Sequence, residues 1–308
     1  MKKIFVDTLM GLAERDKRIF LLTGDLGFSV LEGFKKRFPN RFYNMGIAEQ
    51  NMIGVAAGLA ISGKIVFVYS IASFLTMRCL EQIRDDICYH NLAVCLVGVG
   101  GGLEYGAMGH THHSIEDIAL MRPLTNMTVI APGDPGETAM AVRCIAQVKR
   151  PVYLRLSKDR GMAINPKIGF KIGKGVILEE GSDVTIMASG SMLATAKHAA
   201  EQLKVKRISV RLISMPTIKP IDRELILQSA RKTKAIFTVE EHSVVGGLGS
   251  AVGEVLSESR YKVLFRRFAL PETYNNFVGC REYLLRKFNL LPEAISKGII
   301  SLMKGRIV

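Results

Sequence analysis

The chain has 308 residues, 48% of them hydrophobic and 23% charged, with 42 lysines and arginines against 28 aspartates and glutamates, a formal charge of +14. This balance excludes a disordered chain and suits a packed globular protein of one large or two ordinary domains. The positive excess admits nucleic acid, an acidic partner or anionic substrates, but the basic residues are dispersed, Lys35-Lys36-Arg37 and Lys204 to Arg207 read as solvated helix ends, and no nucleic-acid motif accompanies them.

Met1 to Val6 begins like a secretion signal, yet Asp7 interrupts the apolar run and Glu14 to Arg18 is heavily charged, so no export signal is expected. No apolar run reaches bilayer-spanning length, so no membrane partner is expected. Five cysteines, without a C-x-x-C pair and mostly inside apolar runs, fit small buried hydrophobes in a reducing cytoplasm.

Residues 4 to 13 have helical periodicity, and Arg18 to Thr23 reads as a buried strand that stops at Gly24-Asp25-Leu26-Gly27. A short helix, Val30 to Arg37, and a strand from Arg41 to Asn44 lead into Met45-Gly46-Ile47-Ala48-Glu49-Gln50-Asn51, which opens a helix with one carboxylate in its first turn. Gly54, Ala57 and Gly58 recur on one helical face, and each glycine costs about 1 kcal/mol against alanine, so a close backbone neighbour is expected there. Glu49 itself has two readings: a charge favouring the helix N-terminus, or a functional carboxylate at the end of a parallel strand.

Next come a strand at Ile65 to Tyr69, a long helix from Phe74 to Cys88, and an apolar strand from Leu92 to Val99 that ends in Gly98-Val99-Gly100-Gly101-Gly102. Strand and helix alternate through Met127 to Ile130, Glu137 to Val148 and Val152 to Leu156. After a connector at residues 157 to 182 they resume with strands at Asp183, Arg207, Ala235 and Val263 and helices between them. Such alternation predicts α/β architecture with two doubly wound domains, divided into 1–165 and 166–308.

Gly98-x-Gly100 and Gly247-x-Gly249 follow strands but lack the third glycine of a dinucleotide fingerprint. The loop Gly106 to Ser114 holds His110, His112 and His113; they could ligate a metal, but no fourth ligand stands at a recognised spacing, so no metal site is assigned, and hydrogen bonding or acid/base work on a substrate is the stronger reading. Phe74, Met77 and Leu80 form a stripe that serves either core packing or stacking on a flat heterocycle.

Together, Gly46-Ile47-Ala48-Glu49-Gln50-Asn51-Met52 with Ala56 to Ala60, Phe74-Leu75, Thr111-His112, and Glu240-Glu241-His242-Ser243 with Gly246-Gly247-Leu248-Gly249 resemble the C-terminal half of transketolase and deoxyxylulose-phosphate synthase, in order and over nearly the whole chain. The resemblance implies a thiamine-diphosphate pyrimidine-binding domain followed by the transketolase C-terminal domain. The Gly-Asp-Gly diphosphate and metal motif of the other half is missing, which implies one subunit of a split enzyme. A separate N-terminal, diphosphate-binding subunit would then carry the Mg2+ ligands, in an α2β2 assembly that is inactive without it.

Carried over by position, Glu49 hydrogen-bonds N1′ of the aminopyrimidine and favours the tautomer that removes the thiazolium C2 proton, and Phe74 stacks on the ring with Met77 beside it. Asp25 matches an acidic residue near the cofactor. His112 contacts substrate oxygens and counts with Glu49 as catalytic, while His110 and His113 are further substrate candidates. Lys158 stands where the family has a phosphate-binding arginine, with Arg160 close by. Met108 and Gly100 replace an aspartate and a histidine that contact sugar hydroxyls, which predicts an unusual or deoxygenated acceptor with room at Gly100 for a bulky group. The implied reaction is transfer of a two-carbon ketol unit between (phospho)sugars. The rivals are the β subunit of a 2-oxo-acid dehydrogenase E1 and a non-catalytic partner protein that kept the fold.

Overall fold

A computed structural model describes residues 1–158, 161–164, 169–274 and 276–304. The strands are β1 (Ile19–Thr23), β2 (Phe42–Asn44), β3 (Ile65–Ile71), β4 (Val94–Val99), β5 (Thr128–Ile130), β6 (Val152–Leu156), β7 (Val176–Glu179), β8 (Val184–Ala188), β9 (Val210–Ser214), β10 (Thr217–Lys219), β11 (Ala235–Ser243) and β12 (Leu264–Leu270). They form a seven-stranded sheet in the order β10-β5-β6-β4-β3-β1-β2 and a five-stranded sheet in the order β12-β11-β8-β9-β7. Each sheet is parallel apart from one antiparallel edge strand, β10 on the first and β7 on the second.

The central parallel strands β1, β3, β4 and β6 are largely apolar on both faces because both faces are covered. In β1, Phe20 and Leu22 join the cluster beneath the helix Glu49–Ile61, whereas Ile19 and Leu21 join the opposite cluster with Phe5 and Leu9 of the N-terminal helix Lys2–Arg15. The first of these clusters continues through Met187, Ile213 and Leu248, so apolar packing is continuous from one sheet to the other.

Three departures from the sequence reading have physical causes. The fifth strand of the second sheet is β7, inside what reads as a connector; only four residues long and mixed in burial, it carries no periodic signal. β10 crosses over to pair with β5, a contact between segments nearly ninety residues apart that local pattern cannot report. The helix expected from Phe74 to Cys88 is Ala72–Arg78, then a break at Cys79 (φ −108°, ψ 16°), then a wider turn at Ile83–Cys88 with five-residue hydrogen bonds such as Tyr89 N–H to Arg84 O at 3.0 Å.

β4, β3, β1 and β2 lie side by side, so the segments leaving their C-terminal ends converge. Those segments carry Gly24-Asp25, Glu49, Phe74 and the histidine loop. Such a convergence is where open α/β sheets bind ligands.

Candidate active site

Glu49 begins its helix and is 2% exposed, an unusual place for a carboxylate. Its Oε2 accepts a hydrogen bond from Arg78 Nη1 at 2.6 Å, the one side-chain bond to this carboxylate among the described residues. Arg78 closes the helix Ala72–Arg78 that also carries Phe74, and its guanidinium carbon stands 4.8 Å from the Phe74 ring centroid. Phe74 is half-buried and Met77 exposed, so the stripe starting at Phe74 turns from core towards solvent.

The face expected to press on another backbone is open within this chain. A Cβ added to Gly54 or Gly58 would meet nothing within 4 Å among the described residues, and both glycines are exposed beside Ile47 and Ile61, while Ala57 is buried.

The histidine loop is clamped at its base. Gly102 and Ser114 exchange backbone hydrogen bonds of 2.7 and 2.9 Å. Leu103 N–H donates to Glu241 Oε1 at 2.8 Å, and Arg155 Nη2 reaches the carbonyls of Ser114 and Glu241, both at 3.0 Å. Arg155 is buried against Asp117 (Nε to Oδ2, 2.7 Å), so the clamp is a desolvated ion pair whose Nε and Nη2 donors are both used, which helps such a pair to be tolerated. Gly102 needs its positive φ of 72°, and a Cβ there would fall 2.7 Å from Glu241 O.

On this base the three histidines point different ways. The His112 ring lies 5.0 Å from Phe74 and 6.2 Å from Tyr105, and its Nδ1 is 3.0 Å from Thr111 Oγ1. His110 packs edge-on to Tyr274 at 5.0 Å, in a loop that follows β12. His113 is 2% exposed with Nε2 3.3 Å from Gly106 O, and burial lowers its pKa from the usual histidine value. His110, Thr111 and His113 line a cleft of about 750 Å³ together with Ser73, Phe74, Met77, Arg78 and Tyr274.

Tyr105 extends the row of rings towards Lys158, whose Nζ is 4.8 Å from the Tyr105 centroid. Lys158 is exposed, and its backbone N–H donates to the buried Glu104, which also accepts from Ser157 Oγ at 2.6 Å. Glu49, Arg78, Phe74, His112, Tyr105 and Lys158 thus form one continuous file of contacts. Asp25 sits at the end of β1 in the left-handed region (φ 53°), exchanging hydrogen bonds of 2.9 Å with Asn44. Arg160 lies outside the described residues.

The expected room at Gly100 is not there. A Cβ on Gly100 would stand 2.1 Å from Tyr105 Cε2, so the tyrosine ring already fills the space beside this glycine. Gly247 is equally specific: Glu240 accepts the N–H groups of Leu248 (2.6 Å) and Gly249 (2.7 Å), and a Cβ on Gly247 would strike that carboxylate. The helix N-terminus that resembles a phosphate cradle is therefore filled by the protein's own Glu240 carboxyl group.

Known proteins resemble this chain in sequence and fold. The transketolase pyrimidine binding domain matches residues 1–162 and the transketolase C-terminal domain residues 173–295. A putative transketolase C-terminal section from Methanocaldococcus jannaschii is 41% identical over 308 residues, covering 99% of this chain and 96% of that protein. The chain belongs to the transketolase family. One of the subunits of an apulose-4-phosphate transketolase from Phocaeicola vulgatus is 40% identical, with 98% of this chain and 97% of that protein covered. A solved structure described as a split gene transketolase, inactive beta4 tetramer, superposes with a TM-score of 0.89 at 41% identity, covering 97% of this chain and 96% of that one.

Transketolases use thiamine diphosphate. In this transketolase-family chain, sequence reasoning missed Arg78, Tyr105 and Tyr274. Tyr274 stands over a hundred residues from the histidines it meets. Arg78 carried a usable signal, being four residues after Phe74 and so on the same helical face. Among the described residues no helix is long and apolar enough to cross a membrane.

Proposed function

We propose that this chain is one subunit of a split transketolase that moves a two-carbon ketol unit between (phospho)sugars in the cytoplasm, with a separate diphosphate-binding subunit holding the magnesium ion. The observation that carries the reading is the pairing of a buried carboxylate, Glu49, with a half-buried ring, Phe74, across one planar cation. A buried carboxylate can accept an in-plane N–H from a ring, as it does here from the guanidinium, and the Phe74 face fits a flat heterocycle. Relatives of matching length, one named as a C-terminal section and the other as a single subunit of its enzyme, support the split.

Thiamine diphosphate supplies a nucleophilic carbon and an electron sink for breaking and making a carbon–carbon bond. This chain's part is to bind, orient and move protons. Glu49 would hold the pyrimidine ring nitrogen and favour the tautomer that the chemistry needs. Phe74 and Met77 would support the ring, and Asp25 lies at the neighbouring strand end. His112 offers Nε2 to sugar oxygens, its Nδ1 being held by Thr111, with His110 and His113 in the same loop. Lys158, with Arg160, meets a substrate phosphate as a point charge.

The exposed face of Ile47, Gly54, Gly58 and Ile61 is where another subunit would pack in an α2β2 assembly, which gives the two glycines a use. The net charge of +14 suits an acidic mate. The test is reconstitution: ketol transfer should need this chain, its mate, thiamine diphosphate and magnesium together. Transfer by the purified chain with cofactor and magnesium alone would refute the split.

A further inference from the structure

Arg78 engages both side chains that an aminopyrimidine would need. Its Nη1 donates to Glu49 Oε2 at 2.6 Å while its guanidinium carbon lies 4.8 Å from the Phe74 centroid. A guanidinium is flat and delocalised, with N–H donors in its plane and a face that stacks on aromatic rings. It therefore presents the same two features, an in-plane N–H and a stacking face, that an aminopyrimidine offers a carboxylate and a phenyl ring. His112 crowds Phe74 from another side, its ring centroid 5.0 Å away.

We propose that Arg78 is a placeholder: in the unliganded subunit its guanidinium fills the aminopyrimidine seat, and cofactor binding swings it out towards solvent. The inference rests on the reading of Glu49 and Phe74 given above. The Arg78 side chain is 46% exposed and Glu49 only 2%, so the cation has somewhere to go and the carboxylate does not. A buried carboxylate without a partner is costly, and the arginine removes that cost until a ligand arrives.

The test is calorimetric titration of thiamine diphosphate, at saturating magnesium, into the complex of this chain with its mate. Arg78→Met keeps the length of the side chain and removes its plane and charge. The placeholder predicts a Kd about tenfold lower than wild type, the scale of one charge-assisted hydrogen bond no longer broken on binding. Arg78→Gln retains a neutral N–H donor and should fall between the two, which keeps the test open if the methionine variant folds poorly. An unchanged or higher Kd in both variants overturns the placeholder, and a higher one makes Arg78 a positioning residue that stays on Glu49 in the loaded site. Wild-type binding with no tightening in the variants leaves the functional reading intact, whereas no binding by any of the complexes takes down both.

Discussion

The charge of Glu241 acts on Glu104 across the junction of the two sheets. Burial first, and then that charge, push the Glu104 carboxyl up to about 7 from 4.5. Glu241 is also buried, which favours its neutral form, but Arg281 outweighs this and holds it below the usual carboxylate range, donating from Nε at 2.9 Å. Of the two, Glu104 is the one that carries a proton near neutrality.

The sign of its pH dependence follows. Between about 4.5 and about 7 the folded chain keeps the Glu104 proton and the unfolded chain releases it, so this group's contribution to stability falls as pH rises through that window and is lost above it. Glu104→Gln cannot titrate. The melting temperature of wild type minus that of the variant should therefore be larger at pH 5 than at pH 8, by a few degrees. A difference that is flat with pH, measured by thermal melts in matched buffers, would contradict the raised carboxyl.

Glu49→Gln keeps the shape of the site and a single acceptor oxygen but removes the anion that sets the pyrimidine tautomer. Exchange of the thiazolium C2 proton for deuterium in the reconstituted complex should slow by about two orders of magnitude or more, within the range of a positioned acid or base. Exchange as fast as wild type would return Glu49 to a helix-end charge.

Lys158→Ala should raise KM for phosphorylated sugars about tenfold or more while leaving unphosphorylated ones nearly untouched, because a charge-assisted contact to phosphate is lost. Steady-state kinetics on matched sugar pairs check this. Equal effects on both members of each pair would move the phosphate contact elsewhere, with Arg160 the next residue to replace.

Gly100→Ala should destabilise the chain by about 2–4 kcal/mol, since the new methyl meets the Tyr105 ring and a non-glycine residue is held at a φ of 73°. The companion Tyr105→Ala, Gly100→Ala double variant should recover part of the first term and none of the second. Denaturant titration of both separates them: a single variant that loses only the ~1–2 kcal/mol of backbone strain would mean that the ring moves freely, and one as stable as wild type would contradict both causes.

Chain-local pattern determined much of this protein. Runs of mostly apolar residues mark β1, β3, β4 and β6, because a parallel strand covered on both faces has little room for an unpaired polar side chain. Glu49 was legible as a lone carboxylate in an apolar helix, and Phe74 as the head of a stripe, because helical spacing is written within a few residues. Only the tertiary structure decided what these side chains meet. Glu49 finds Arg78 across 29 residues, and Leu103 finds Glu241 across 138, separations at which no periodicity operates. The space at Gly100 shows the limit most plainly. A glycine in sequence reads as room, yet whether that room is empty depends on where a ring five residues on is turned, and the packed interior had already filled it with Tyr105.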